Sequence, residues 1–581
     1  MSNNPGFGFQ ADATSATFVN PDLRTSGDGY ATFLLGAVQP AGGGADSWDS
    51  GATSMTATIP PQGQNRFYGT FINDDWKVSR DLTINLGLRY EFETAYTDPQ
   101  DRLTRPLDLT SPIPEMQGAG APRMPAELGQ FYKGPTTFNG AFQFADSDNR
   151  GQWNAGKGGF SPRIGAAYRI NANTSFRVGY GRYLTPWTGG TIDIFDTIYV
   201  GFKNVTGAYP AVLGVSQMRL RDPFPASAPV VPAYEKSLGR YTSLGDSLSY
   251  VAANRPRSYS DRLNFSFQRQ LPKNMLLDVT YYVNFSNQLI GGFNLNQVDP
   301  RVAYEFKDAT NRAVANPFYN FSTVDKFPGA LRYQQTVGLT SLARQYPQHG
   351  NLKVIDGIEG GKSRYQSFQL RLNRRFANGY SMLMGYNYGR QQDEVFFNDI
   401  SAFNREFTWQ ESDKPRQRLS LAATWELPVG RGRQLLSSMP KALDLVIGGW
   451  DVTGLMTWRS GFYVRFGGMA VNGDPLVEDP TPARWFNTQA FSRLPNFTPR
   501  TNPWQYDGLT NPGLFNLDTS IVKRMPITER FRGELRMDVF NTANNMTWAN
   551  PNTNVQSSLF GVSNNQLSGP VRAPGATRPA R

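Results

Sequence analysis

Apolar and polar residues alternate along many stretches of this chain with a period of two. Successive side chains of a β-strand point to opposite faces, so this alternation puts one residue class on each face. The clearest case is LTINLGLRYEFE, Leu82–Glu93, in which every even-numbered position from 84 to 92 is apolar and its neighbours are polar or glycine. The pattern predicts a strand with one apolar and one polar face.

The same pattern recurs in pairs of stretches separated by turn-forming residues, as at Asn378-Gly379, a strong hairpin signal. The chain is therefore predicted to form six hairpins, with strands of roughly 10–13 residues against about 5–6 in typical globular proteins. The predicted pairs are Arg66–Trp76 with Leu82–Glu93, Ser161–Ile170 with Thr174–Leu184, Ser258–Gln270 with Met275–Ser286, Arg364–Phe376 with Tyr380–Arg390, Arg416–Leu427 with Val446–Trp458, and Leu514–Met525 with Arg530–Asn541.

Short and long connections alternate along the chain. Most links within hairpins are short, although Pro428–Leu445 is longer and is expected to hold a helical turn. The links between hairpins are long, and they are Thr94–Phe160, Thr185–Arg257, Asn287–Ser363, Gln391–Pro415 and Arg459–Gly513. Long irregular loops are uncommon in compact soluble domains but are expected on the outer side of membrane barrels.

The alternation alone does not decide whether the apolar face meets lipid or a soluble core. Strand length, one-sided long loops and charges in the middle of the polar faces favour the membrane. The predicted fold is all-β, a transmembrane antiparallel β-barrel of about 12–16 strands with short periplasmic turns and long extracellular loops. The charged residues predicted to face its lumen are Arg89, Glu91, Arg177, Asp278, Arg371, Glu534, Arg536 and Asp538.

Aromatic and basic residues near strand ends fit the same interpretation. Tyrosine and tryptophan concentrate at membrane–water interfaces, and arginine can extend its head group towards water. Arg269 and Arg374 are on the apolar face close to turns, where we expect them to reach the interface. The residues predicted to form interfacial girdles are Tyr68, Trp76, Tyr183, Tyr388, Trp425 and Trp458.

Composition narrows the chemistry that is possible. The 581 residues include no cysteine and one histidine, which excludes thiolate sites and any site with two imidazoles. We expect His349, in a long loop, to be exposed to solvent. Carboxylate pairs such as Glu91 and Glu93 have no discriminating power for a glycosidase, because alternate residues of any strand are that close. The sequence predicts no enzyme activity, no cofactor and no metal site.

The net charge of +11 suggests either an anionic partner or simply a basic surface. No block of five or six like charges occurs, so nucleic acid is not predicted as a partner. Outer-membrane lipid and lipopolysaccharide are the anionic partners that fit a barrel.

Several segments resemble TonB-dependent outer-membrane receptors, and most closely the Oar-like branch common in Acidobacteria, which carries a carboxypeptidase-regulatory-like domain. They are FINDDWKVSRDLTINLGLRYE (Phe71–Glu91), SPRIGAAYRI (Ser161–Ile170), VGYGRY (Val178–Tyr183), GGWDVTGLMTWRSG (Gly448–Gly461) and DVFNTANNMTWANPNTNV (Asp538–Val555). The resemblance implies a bacterial outer-membrane barrel of about 22 strands. It also implies a plug, a Ton box that engages the TonB complex, and energised uptake of a carbohydrate, peptide or siderophore.

The chain departs from that family pattern at both ends. No signal peptide, plug or Ton box is recognisable, and the segment after Gly561 lacks a closing aromatic strand. The expected organisation is a poorly defined segment over 1–65, a receptor barrel portion over 66–561 and an irregular tail over 562–581. We therefore expect the C-terminal barrel portion of a receptor. The alternatives are a plug-free porin-like or adhesive outer-membrane barrel and a soluble extracellular all-β enzyme or lectin.

Ligand binding is expected in the long outer loops, whose aromatic clusters can stack on a ligand. The candidate residues are Phe318, Tyr319, Phe321, Trp504 and Tyr506. The alternative for each of them is packing of the loop against itself.

Overall fold

The computed structural model describes residues 2–7, 9, 29–36, 54–60, 62–187, 197, 200–207, 211–212, 215–216, 220–224, 226, 229–527 and 530–566. Much of the predicted segment 1–65 and most of the predicted tail 562–581 therefore lie outside the described residues. The rest is dominated by one antiparallel sheet, as the alternation predicts.

All twelve predicted strands are present in that sheet. They are β1 (Phe67–Lys77), β2 (Leu82–Glu93), β3 (Gly159–Asn171), β4 (Thr174–Leu184), β5 (Tyr259–Leu271), β6 (Met275–Asn294), β7 (Leu352–Ala377), β8 (Tyr380–Phe396), β9 (Gln417–Glu426), β10 (Trp450–Arg459), β11 (Leu514–Pro526) and β12 (Arg532–Val539). Each strand pairs with the next one along the chain, so the sheet is an up-and-down meander. Within the described ranges β1 and β12 do not pair with each other, and the sheet is open there.

The pairing register places the predicted apolar residues on one face. Directly opposed residues of antiparallel strands share a face. One row crosses six strands and contains only apolar side chains, Leu277, Leu372, Met384, Leu421, Met456 and Leu517. The neighbouring row, on the opposite face, contains Asp278, Arg371, Gly385, Ser420, Thr457 and Asn516. The two faces therefore differ in polarity along the whole run of strands.

The turn between β7 and β8 has the backbone conformation that its sequence demands. Asn378 and Gly379 both have positive φ, 53° and 84°. Two-residue hairpins with positive φ at both positions match the right-handed twist of the flanking strands. The Asn-Gly pair therefore fixes the register of the two strands at this end.

Three central strands are longer than predicted. The strands β6, β7 and β8 contain 20, 26 and 17 residues, and they extend at the end that carries the long loops. Pairing of β6 with β7 continues past Ser286 through three register irregularities. These irregularities break the period-two pattern, which is why the alternation ends before the strands do.

The link between β9 and β10 contains the expected helical turn, over Lys441–Ile447. This helix occupies the start of the predicted strand Val446–Trp458, so β10 begins only at Trp450. Gly449 between them has φ 66°, and a Cβ there would lie 2.3 Å from the Arg524 carbonyl oxygen. A glycine is therefore required where the chain turns from the helix into the strand.

Two expectations about the strand ends are wrong. Tyr183 is on the polar face, because it has the same parity as Gly181, and the guanidinium of Arg262 lies 4.4 Å from its ring centroid. Arg374 does not extend to water but is 2% exposed. Its guanidinium lies 3.2 Å from the Tyr380 ring centroid and donates one hydrogen bond to the Ala377 carbonyl at 2.9 Å, so the turn holds it away from water.

The remaining elements lie in the long loops and in the part of the chain that precedes β1. The α-helices are Gly29–Leu34, Leu128–Phe131, Pro300–Phe306, Leu339–Leu342 and Asp399–Asn404, besides Lys441–Ile447 in the β9–β10 link. The 3-10 helices are Pro114–Met116, Gly118–Gly120, Gly239–Tyr241, Lys307–Asn311, Ala330–Tyr333 and Thr488–Ala490. The short strands are Ser2–Gly6, Ser54–Thr58, Asp108–Pro112, Asn139–Ala141, Lys203–Gly207, Ala211–Val212, Val215–Ser216, Leu248–Val251, Ala313–Ala315, Thr336–Gly338, Phe407–Glu411, Met469–Val471 and Phe491–Arg493. In the part of the chain that is described, no helix has the length and apolarity to cross a membrane.

A pair of adjacent substitutions in β9 tests the assignment of the two faces. An arginine on the lipid face near the bilayer midplane costs about 2–4 kcal/mol, whereas the polar face tolerates it. We expect Leu421→Arg to lower the free energy of unfolding by about 2–4 kcal/mol in urea titrations in phospholipid vesicles, and Ser420→Arg to change it by less than about 1 kcal/mol. Equal losses for the two variants would contradict the assignment.

Candidate ligand site in the long loops

The predicted charged residues all share the polar face of the sheet, and most of them are paired there. On β2, Arg89 forms an ion pair with Glu91, and Arg257 approaches the same carboxylate at 3.4 Å. Arg257 comes from the long loop after β4, whereas Arg89 and Glu91 are both on β2. One carboxylate therefore joins arginines from two different parts of the chain. Charges placed on this face therefore neutralise one another locally.

Asp278 on β6 receives three hydrogen bonds from its own face. Gln268 Nε2 donates at 2.8 Å, Thr280 Oγ1 at 3.0 Å and Ser266 Oγ at 3.2 Å. Arg371 lies directly opposite it on β7, and a cavity of about 690 Å³ adjoins both residues. The register also places Arg177 on this face, opposite Ser266.

The last hairpin carries the remaining predicted charges. Arg536 donates to Asp538 at 2.8 Å along β12. Glu534 lies 3.8 Å from Arg524 of the neighbouring strand. All three predicted residues are at least 40% exposed, so this end of the polar face is open.

At the opposite end of the strands from the short turns, the loops build apolar cores of their own. One core joins residues from the loops after β2, β4 and β6, among them Met116, Leu244 and Phe318. Phe318 is fully buried and stacks on Phe327 with 5.7 Å between ring centroids. Phe321 packs against the same Phe327 ring at 5.9 Å.

This burial separates the three aromatic residues predicted to bind a ligand in this loop. Phe318 is 0% exposed and Tyr319 is 42% exposed, although they are adjacent in sequence. Phe318 and Phe321 therefore stabilise the loops from inside. Only Tyr319 presents a large part of its ring to solvent, so it alone of the three remains a candidate for direct ligand contact.

His349 is buried in this layer, and the expectation that it is exposed is wrong. It is 3% exposed, and neither ring nitrogen has a hydrogen-bond partner among the described residues. A Cβ at Gly140 would lie 2.9 Å from its Nε2, so the contact between the two loops is close. Burial lowers the pKa of His349 to about 4, and the imidazole is therefore neutral at pH 7.

A second loop core forms after β10. Phe466, Phe486 and Phe491 are its buried rings, and Val555 and Phe560 pack on it from the segment that follows β12. Tyr506, a predicted ligand contact, lies half-buried against Phe466 and Phe491 at 5.6 and 5.9 Å between ring centroids. Its ring is therefore mainly part of this core.

Between this loop and the short strand Phe407–Glu411 there is a cavity of about 300 Å³. Trp504, another predicted ligand contact, lines it together with Trp409, which is 41% exposed. The remaining lining residues are Gln392, Phe397, Thr408, Gln410, Glu411, Tyr463, Pro503, Gln505 and Asp507. Its size is at the lower end of the range of about 300–1,000 Å³ for small-molecule sites.

Arginines hold both tryptophans in place. The Arg500 guanidinium lies 3.6 Å from the Trp504 ring centroid, and Arg364 lies 4.5 Å from that of Trp409. Arg500 is only 9% exposed and donates to the backbone carbonyls of Phe466 at 2.8 Å and Asn502 at 2.9 Å. Burial lowers the pKa of Arg500 to about 10, so it stays charged at neutral pH.

The carboxylates of the cavity also have partners. Glu411 accepts from Arg390 Nε at 2.7 Å and from Gln392 Nε2 at 2.8 Å, and Arg416 approaches it at 3.4 Å. The Tyr463 hydroxyl donates to Asp507 at 3.3 Å. The charge of Glu411 is therefore compensated within the protein.

Across the described ranges, no group of three or more histidine, aspartate or glutamate side chains could hold a metal ion. The cavity is lined by aromatic surfaces, amides and two carboxylates that have partners within the protein, and these groups suit recognition of a ligand.

Trp409, Tyr463 and Phe397 were not predicted as site residues. Trp409 is in the short strand Phe407–Glu411, within a link treated as a single loop, and Tyr463 follows directly on β10. The signal that was available is the exposed aromatic in a short, alternating FTWQE stretch. Trp409 becomes part of a cavity only because the loop after β10, about a hundred residues away in sequence, packs beside it.

Comparison with known proteins supports the fold. A family model described as outer membrane beta barrel domain matches residues 1–574. No curated protein matches the chain.

Solved structures with a similar fold include three outer-membrane proteins. They are the ferric-catecholate import receptor Fiu from E. coli K12 (11% identity, 86% of this chain and 42% of that chain, TM-score 0.35), the outer membrane transporter YddB from Escherichia coli (10%, 86% and 44%, 0.37) and the pyoverdine receptor FpvA from Pseudomonas aeruginosa PAO1 (10%, 88% and 41%, 0.35). The chain thus spans less than half the length of each. At these TM-scores the likeness carries no argument about function.

Removal of a core ring should loosen the loops without unfolding the sheet. We expect Phe327→Ala to destabilise the loop layer by about 3–5 kcal/mol, because it deletes a fully buried aromatic side chain. Limited proteolysis of intact cells or vesicles should then cut the loops at least about tenfold faster, while the heat-modifiable migration of the barrel is retained. Tyr333→Ala, at a residue 60% exposed, is the control and should leave the cleavage rate unchanged.

Acid should loosen the same layer through His349. The pKa of His349 is about 4 in the folded loops, below the ordinary 6.5, because burial disfavours the charged imidazole. The folded loops therefore have their full stability above pH 6.5, where His349 is neutral in both states, and they lose stability as the pH falls towards 4. The hydrogen-exchange protection factors of residues 295–351, which are corrected for the pH dependence of the intrinsic exchange rate, should therefore fall over that interval. The His349→Leu variant should lack this component of the pH dependence, and an unchanged profile in the variant would refute the assignment.

Proposed function

The chain belongs to the outer membrane β-barrel domain family, and we propose that it forms the wall and outer loops of an energised transporter. It is a protein of the bacterial outer membrane, with an antiparallel β-sheet that spans the bilayer. The observation that carries the proposal is the polar, charge-paired face of the sheet, capped at one end by structured loops. A polar interior and long outer loops are what a solute pathway requires.

The charged residues of the polar face are proposed to line that pathway. Arg89, Glu91 and Asp278 are paired or hydrogen-bonded on this face, so they give a hydrated surface without a strong net charge. Such a surface suits the passage of a solute or the seating of a polar domain. The apolar face then meets lipid, and the outer ends of the strands adjoin lipopolysaccharide.

The finer assignment is to the TonB-dependent receptors, in their Oar-like branch, with residues 66–561 as the barrel portion. Support comes from the resemblance of five segments spread along the sheet and from the open edges at β1 and β12, which further strands would complete. In this proposal the plug and the Ton box, which engages the TonB complex, belong to a more N-terminal part of the protein.

The cargo is proposed to be a large nutrient, a carbohydrate, peptide or siderophore, captured by the loops and released into the lumen. No residue of the loop cavity has a role in catalysis in this proposal. The side chains proposed to contact the cargo are Tyr319, Trp504 and Trp409. The rings of Tyr319 and Trp409 are partly exposed, and both tryptophans line the loop cavity.

Uptake in cells tests whether transport is energised. We expect a deletion of the gene to lower accumulation of at least one of a labelled neutral oligosaccharide, a labelled peptide and a ferric siderophore by about tenfold or more at substrate concentrations well below the micromolar range. A protonophore or loss of TonB should produce the same loss. Uptake that depends on the protein but not on energy would instead identify a porin-like barrel.

A further inference from the structure

The cavity beside the strand Phe407–Glu411 has the chemistry of a site for an uncharged, polyhydroxylated ligand. We infer that it binds a segment of a neutral oligosaccharide, an inference that rests on the proposed function and selects one of its three substrate classes. The site is made by the outer end of β8, the short strand Phe407–Glu411 that pairs with it, and the loop after β10.

Flat apolar surfaces come from its two tryptophans. Trp409 and Trp504 both line the cavity, and each has an arginine near one ring face, at 4.5 and 3.6 Å from the ring centroid. A ring held in this way loses little conformational freedom when a ligand stacks on it. Sugar rings present C–H faces that pack on such surfaces.

The polar groups of the cavity complement hydroxyls rather than ions. None of its described lining residues is basic, so an anionic ligand would find no unpaired cation there. Glu411 is already paired with Arg390 and Arg416, and its backbone carbonyl accepts from Gln505 Nε2 at 3.0 Å. Asp507 Oδ1 accepts from Tyr463, so the other Asp507 oxygen, the amide oxygen of Gln505 and the amide of Gln410 are the groups left to exchange hydrogen bonds with a neutral ligand.

Electrostatics decides between the three proposed cargo classes. The arginines around the cavity do not line it, because Arg390 and Arg416 pair with Glu411 and Arg364 and Arg500 lie against the tryptophan rings. A ferric siderophore or an acidic glycan would therefore bring its negative charge first against Asp507 and Glu411, which costs free energy. A charged peptide terminus would find only Asp507 as an uncompensated opposite charge. A neutral sugar brings no charge of its own that must be desolvated, so it is the class that the cavity favours.

The position of the cavity allows the sugar to come from two sources. Arg364 lies opposite Gln392 and Trp409 opposite Glu394, both close to the outer-loop end of β8, so both dissolved oligosaccharides and the sugars of neighbouring lipopolysaccharide can reach this level. The chemistry recognised is the same in both cases. Adding lipopolysaccharide to the membrane used in the binding assay, or leaving it out, distinguishes the two sources.

The test measures binding of defined sugars to the protein extracted from outer membranes and placed in phospholipid nanodiscs. The neutral probes are N-acetylchitohexaose and linear hexaoses of glucose, mannose, galactose and xylose. The charged counterparts are the cationic chitohexaose and the anionic hexagalacturonate. We expect at least one neutral probe to bind about tenfold or more tightly than its charged counterparts.

Matched variants locate the binding at the cavity. Trp409→Ala and Trp504→Ala should each weaken the best neutral probe by about tenfold, and Trp409→Phe should keep much of the affinity because a flat ring remains. Trp425→Ala, at an exposed tryptophan near the short-turn end of β9, should have no effect. Heat-modifiable migration shows that each variant is folded, and Trp409→Ala carries the test if Trp504→Ala disturbs its loop.

The outcomes decide the inference independently of transport. Binding of no neutral probe, preference for a charged probe, or affinity that survives both tryptophan-to-alanine changes would overturn it. Lipopolysaccharide added to the nanodiscs should weaken probe binding if the membrane's own glycans fill the cavity, and leave it unchanged if the ligand comes from solution. Binding needs no energy source, so a failure of energised uptake would not contradict the binding of a neutral sugar at the cavity. Conversely, normal uptake and normal binding in the tryptophan variants would refute the assignment of the ligand to this cavity and would leave the proposed transport intact.

Discussion

The backbone of a protein in lipid must satisfy its own hydrogen bonds, and this requirement governs the sheet. No water is present in the bilayer core to pair with a free N–H or C=O group, so each strand there needs a partner on both sides. The meander meets this requirement for the strands between β1 and β12 by pairing each with both of its neighbours in sequence, and within the described ranges it leaves one edge of β1 and one edge of β12 open. Once the ladder is continuous, the register decides which residues face lipid, because a slip of one position would exchange the two faces. The apolar row from Leu277 to Leu517 is the result.

Outside the bilayer this requirement is relaxed, and the loops follow the rules of soluble proteins. They bury phenylalanines such as Phe327 and Phe486 completely and pair their polar groups through turns and side chains. These cores hold the loops in defined positions over the ends of the strands. The cavity between the short strand Phe407–Glu411 and the loop after β10 can then keep its shape without a ligand. The loop layer is therefore the place where specificity can vary while the sheet stays constant.

How much can be read from sequence follows from this division. Strand positions and faces depend on local alternation, so all twelve strands and the Asn378-Gly379 turn were predictable. His349 was not predictable, because it is buried by a loop two hundred residues away in sequence. Arg374 was not predictable either, because the ring of Tyr380 and the carbonyl of Ala377 hold its guanidinium in the turn and away from water. Tyr183 is an aromatic residue near a strand end, but its position in the alternation puts it on the polar face rather than in a lipid-facing girdle. Among the loop aromatics, nothing local separates the buried Phe318 from the exposed Tyr319.

Pairing of charges recurs at both functional levels of the molecule. Glu91 joins Arg89 and Arg257 on the polar face, and Glu411 joins Arg390 and Arg416 beside the loop cavity. In each case one carboxylate bridges two guanidiniums, so the cluster keeps a single excess positive charge that is spread over two planar groups with many hydrogen-bonding atoms. In the proposed function, a solute that moves along such surfaces is held mainly by shape and hydrogen bonds. Weak contacts of this kind also release a solute readily, and the proposed transport needs release as much as capture.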